Sequence, residues 1–198
     1  MKENKGLTLI SLIVSIILIF ILAGVSINFI IGDNGILTKA MNVEKTFNKS
    51  EVLEEINVMI TEKYLDAYNK ASSNISQNGG LDVEKYYSGD KVIKFLQGYS
   101  GGDSGEEYGE NVQPDKPVVI VELKDTSITN NAENGENCYF INLDSLNRNI
   151  NKYGKGTNFD NSKDYFYIKG SGETYKLYYK NLEGNSEEIG DLQIQQNL

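Results

Sequence analysis

From Leu7 to Ile31 the chain runs 25 residues without a charge, LTLISLIVSIILIFILAGVSINFII, and 18 of these are Leu, Ile, Val or Phe. A helix of that length spans about 37 Å, against a hydrocarbon core of about 30 Å. Each such residue near the helix centre favours insertion by about 0.3–0.6 kcal/mol, so the run predicts a membrane helix over 7–31 surrounded by lipid. A cleaved secretory signal would have an apolar region of only about 7–15 residues, followed by a small-residue cleavage site. Ala23-Gly24-Val25-Ser26 imitates such a site weakly, and apolar residues continue past it. Lys2 and Lys5 precede the run, while residues 33–198 carry 17 Lys+Arg against 27 Asp+Glu. That asymmetry predicts a single-pass protein with a cytoplasmic N-terminus and an extracellular C-terminal domain.

The polar residues inside the run are not scattered. On a helical wheel Thr8, Ser11, Ser15 and Ser26 fall within a sector of about 60°. Small hydroxylated residues on one face let two helices approach and hydrogen-bond across the interface. The same hydroxyls can instead bond the carbonyls four residues back in their own helix. The pattern alone leaves both readings open.

Gly6 followed by Leu7-Thr8-Leu9-Ile10-Ser11-Leu12-Ile13-Val14 resembles a prepilin-type cleavage and methylation segment. The likeness is to type IV pilin-like and type II secretion pseudopilin-like proteins of Gram-positive bacteria. Leu22-Ala23-Gly24-Val25-Ser26-Ile27-Asn28 and Gly32-Asp33-Asn34-Gly35-Ile36-Leu37 extend it to about residue 40. The resemblance implies a leader, residues 1–6, removed by a prepilin peptidase between Gly6 and Leu7, with methylation of the new amino group on Leu7. Gly6 suits that role because a residue without a side chain lets a protease approach closely. It also implies other pilin or pseudopilin subunits as partners. The family's pattern usually places Glu fifth after the cut, where it is thought to pair with a neighbour's amino terminus. Ser11 stands there in this chain, which avoids a costly carboxylate in lipid but forfeits the pairing. The departure favours a minor or tip-like subunit, or a protein that carries the segment without a filament role, over a major, self-assembling one.

Beyond the membrane, Gly32-Asp33-Asn34-Gly35 is a turn signal that would bend or interrupt the helix, and Thr38 is a candidate cap for the next one. Residues 38–72 are expected to form an amphipathic helix whose apolar line runs through Val43, Phe47, Leu53, Ile56, Ile60, Tyr64 and Ala67. Residues 73–198 form the head domain. Gly98–Gly109 reads as an exposed loop, too rich in glycine and acid to build a core. Asp82–Tyr87 and Lys91–Gln97 are short helix or strand, and Asp144–Ile150 a helical turn. Strands are expected at Val118–Leu123, Cys138–Asn142, Tyr165–Ile168 and Tyr175–Tyr179, the last two forming a hairpin through Lys169–Thr174. Residues from Leu182 onward are a last strand or a frayed tail. The fold class is α+β: a long N-terminal helix, one half in the membrane and one half amphipathic, packed on a small antiparallel sheet of about four strands.

Little in the chain points to chemistry. With no His, no Ser–His or Cys–His nucleophile can be assembled. The single Cys138 excludes an intrachain disulfide, and its strand position predicts a buried, inert thiol. No phosphate loop is present. Asp160-Asn161-Ser162-Lys163-Asp164 alternates oxygen side chains as calcium loops do. Tyr165, however, stands where such a loop needs Gly, and Ser171 where it needs a bidentate Glu. No metal or other cofactor is expected. The acidic body argues against nucleic-acid binding. The 13 Tyr are expected to pack in the core with wet hydroxyls rather than to bind sugar or peptide. The expected role is therefore structural rather than enzymatic: a pilin-like subunit of a type IV pilus or type II secretion-like system, in the cell membrane or a surface filament. The alternative is a membrane-anchored extracellular binding domain.

Overall fold

The computed structural model describes residues 5–32, 35–74, 80–99, 114, 116–133, 135–146, 153 and 156–195, except the side chains of residues 5–8, 28, 31 and 45. The predicted loop Gly98–Gly109 lies outside the described residues apart from its first two positions. The chain divides into two compact units, Met1–Asn48 and Lys49–Leu198.

The first unit contains helix α1, Lys5–Ile31, and the opening of helix α2, Ile36–Ser73. Between them the Gly35 N–H donates to the Gly32 carbonyl at 2.6 Å. A Cβ on Gly35 would sit 2.6 Å from the Ile30 carbonyl oxygen and 2.8 Å from that of Gly32, so only glycine fits. Thr38 is not the cap expected of it. The helix already begins at Ile36, and the Thr38 hydroxyl donates back to the Gly32 carbonyl at 3.0 Å, a second bond to the oxygen that already accepts the Gly35 N–H.

The second unit packs the rest of α2 against a sheet. Val52, Ile56, Ile60, Lys63, Ala67 and Ala71 form its buried line, at steps of three or four residues. Leu53 and Tyr64 are half-buried beside that line, whereas Val43 and Phe47 are 69 % and 62 % exposed. The last two belong to the first unit, and the expected apolar line through them is corrected accordingly. Helix α3, Gly89–Leu96, is capped by Ser88, whose side chain accepts from the Lys91 N–H. It adds Val92, Ile93 and Leu96 to the same core.

The sheet is an antiparallel meander of five strands, β1 Ile120–Glu122, β2 Asn137–Ile141, β3 Tyr165–Ser171, β4 Thr174–Lys180 and β5 Ser186–Asp191, in spatial order β1-β2-β3-β4-β5. The class is α+β as expected, but with five strands rather than four. The sequence of β5, SEEIGD, shows no apolar alternation. It becomes a strand by pairing along β4, and as an edge strand it needs only one paired side. The β3–β4 hairpin is tighter than expected, because Ser171 pairs with Thr174 and leaves only Gly172 and Glu173 in the loop.

Alternation assigns the two sheet faces. Ile120, Ile141, Phe166, Ile168, Tyr175, Leu177 and Tyr179 face α2 and α3. On the reverse face Cys138, Phe140, Tyr165 and Tyr167 form a second, smaller core with Leu123, Ile128, Ala132, Phe159 and Tyr178. That cover comes from the β1–β2 connection, including the short helix α4, Thr126–Thr129, and from the segment before β3. Of the helical turn expected over Asp144–Ile150, the described part belongs to a 3-10 turn over Leu143–Leu146, and residues 147–150 lie outside the described residues. Buried Asn142 prepares it, donating to the Val118 carbonyl at 2.9 Å and accepting the Asp144 N–H at 3.2 Å.

Candidate functional site

The residues singled out in the sequence lie on α1. Over Leu9–Ile27, 19 residues, mean hydropathy is 3.0 and nothing is buried. The large apolar side chains from Leu9 to Ile30 are 45–73 % exposed. This is one helix long and apolar enough to cross a membrane, with hydrocarbon surface on every side. Gly6 and Leu7 fall in its first turn. The N–H groups of a first turn have no intrahelical acceptors.

The proposed packing face is made of separate residues, not a preassembled site. Ser11, Ser15 and Ser26 are exposed, and the Thr8 side chain lies outside the described residues. The Ser15 hydroxyl donates to the Ser11 carbonyl at 2.8 Å, the four-back bond of the alternative reading. Its oxygen lone pairs remain able to accept a bond from a neighbouring helix.

In the head the polar side chains are mostly satisfied by one another. Asp125 caps α4, accepting the Ser127 N–H at 2.9 Å and the Ser127 hydroxyl at 2.6 Å. Its second oxygen accepts the Tyr165 hydroxyl at 2.6 Å and the Lys180 ammonium at 2.8 Å, and both charged side chains are largely buried. Burial alone would raise the Asp125 pKa. The bonds from Lys180, Ser127 and Tyr165 outweigh it and hold the carboxyl well below the usual range. Burial and the bond to Asp125 push the Tyr165 hydroxyl up correspondingly. This link was not visible in the sequence. Asp125-Thr126-Ser127 resembles a helix cap, but nothing local signals Lys180, 55 residues on. It is a neutralised structural clamp, with neither a free base nor an activated nucleophile.

Of the 13 tyrosines, Tyr86, Tyr87, Tyr153, Tyr165, Tyr167, Tyr175 and Tyr179 are buried, and hydroxyls among them find protein acceptors. Tyr179 donates to Asp164, and Tyr87 donates to the Ile194 carbonyl at 2.6 Å. The oxygen-rich segment at Asp160 closes on itself as a turn. Asp160 accepts both the N–H and the hydroxyl of Ser162, at 2.9 and 2.6 Å. Among the described residues no three His, Cys, Asp or Glu are grouped to hold a metal. Cys138 is buried on β2, and burial pushes its thiol up, away from the reactive thiolate.

The described residues of the head form several clefts. One, of about 380 Å³, lies at the β1 end of the sheet, lined by polar groups including Glu122, Glu136 and Tyr139. Another, of about 500 Å³, runs between α2 and β5 over Leu53, Val58 and Ile189. Set against protein-family models, curated proteins and solved structures, the chain matches none.

Proposed function

We propose that this protein is a pilin-like structural subunit, anchored by α1 with its head outside the cell, and released for assembly by cleavage between Gly6 and Leu7. The observation that carries the reading is α1: an unburied apolar helix whose first turn holds Gly6, the last residue of a charged leader. A helix with apolar surface on every side suits both lipid and the core of a helical filament. The head supports a structural role, because its buried polar groups are spent on internal bonds such as Asp125–Lys180. Ser11 at the fifth position after the cut favours a minor subunit.

Intact mass and N-terminal sequencing of the protein from its native membrane test the reading. The expected product begins at methylated Leu7, and Gly6→Leu should leave the leader in place. A chain that still begins at Met1 would instead describe an anchored extracellular binding domain. Normal processing of the Gly6 variant would remove the peptidase assignment.

A further inference from the structure

Two surfaces of this chain are chemically complementary. The first is the opening of α2 in the unit Met1–Asn48. Ile36, Leu37, Met41, Val43 and Phe47 are 49–69 % exposed there, outside the apolar window of α1. Ile36, Val43 and Phe47 stand seven and four residues apart, on one helix face. Residues 36–48 carry two Lys and one Glu, an excess of positive charge in a chain of net charge −9. Exposed apolar residues clustered in this way mark a surface that is covered in use.

The second surface is the groove of about 500 Å³ between α2 and β5. Leu53, Val58 and Ile189 give it an apolar floor, and Val58 is 51 % exposed. Glu54 and Glu62, one turn to either side of Val58, are exposed on its rim. Gly190 lets β5 lie close to the helix, since a Cβ there would come within 2.8 Å of the Leu53 side chain.

We propose that this groove docks the Ile36–Phe47 stretch of a second copy of the chain. Apolar side chains of the stretch fill the floor, and Lys39 meets the Glu54 and Glu62 rim. Consecutive turns of one continuous helix cannot fold back on each other, so a chain cannot fill its own groove. The two surfaces differ, so the contact is head-to-tail and propagates from copy to copy instead of closing as a symmetric dimer. A lipid surface is the poorer occupant, because anionic headgroups would face the acidic rim. The inference rests on the filament reading and names the surface through which one subunit holds the next.

The test is disulfide cross-linking of the full-length chain in its membrane. Phe47→Cys and Val58→Cys variants carry different tags, and the native Cys138 is buried. The mixed pair should cross-link, and neither variant should cross-link to itself. Glu54→Lys with Glu62→Lys should lower the mixed yield about threefold or more, and Lys39→Glu should recover it. Self-cross-linking of either variant would overturn the proposal in favour of symmetric helix pairing. So would a mixed yield that ignores the charge reversals. Strong quenching of a Phe47→Trp variant by brominated lipid, without the mixed cross-link, would mean that the membrane covers this stretch and would equally overturn it. Chains that begin at Leu7 yet lack the mixed cross-link overturn this docking alone. Chains that cross-link while beginning at Met1 support the docking and overturn the processing reading.

Discussion

Asp125 joins parts of the head that the sequence keeps far apart. One oxygen fixes the start of α4 and the other ties it to Tyr165 on β3 and Lys180 on β4. Replacing it by Asn keeps a cap but leaves the Lys180 ammonium largely buried beside a neutral group. Asp125→Asn should therefore cost about 2–4 kcal/mol at pH 7. The carboxyl is depressed in the folded protein, so its stabilisation is fully present above the unfolded value of about 3.9 and is lost as pH falls through the folded one. The stability gap between wild type and variant should accordingly shrink below about pH 4. Thermal unfolding of the detergent-solubilised chain, followed by circular dichroism at neutral and acid pH, reads this out. A gap that stays constant with pH would show that the charge of Asp125 is not what matters.

Helix α2 shows how one element carries two surfaces. Ile56 and Ile60 have no exposure, while Val58 between them is 51 % exposed. Ile60→Ala should cost about 2–5 kcal/mol by leaving a cavity under the sheet, whereas Val58→Ala should stay within about 0.5 kcal/mol. Chemical denaturation of the two variants compares them directly. Equal losses would mean that Val58 is covered within a single chain and that the groove is closed. The sequence made this helix legible because its buried line recurs every three or four residues. It did not reveal where packing begins, since Val43 and Phe47 fit the same period and yet are exposed. Periodicity identifies a face, and only the neighbouring elements decide whether that face is covered. Strand β5 is the opposite case: its composition is that of a loop, and its pairing with β4 makes it a strand.

At the scale of the whole molecule, α1 is the dominant physical fact. A single Ile17→Arg should cost about 3–4 kcal/mol of insertion energy, the arginine penalty plus the lost isoleucine, less than the 17 remaining apolar residues together supply. The variant should therefore remain in the membrane fraction after alkaline extraction. Its release would show that α1 inserts much less favourably than its composition indicates.

Local composition and period are what the sequence by itself determined. The uncharged run forces a helix whose surface is apolar on every side. Gly32-Asp33-Asn34-Gly35 signals a turn that interrupts the helical pattern. The β-branched and aromatic runs make strands, and the absence of His removes a whole class of catalysis. Tertiary structure alone decided the long-range pairings. It brought Lys180 to Asp125, made Ser186–Asp191 the fifth strand, built a second small core on the reverse face of the sheet, and opened the groove beside Gly190. These depend on which segments meet, and a charge, an edge or a cleft has no local period from which that meeting can be read.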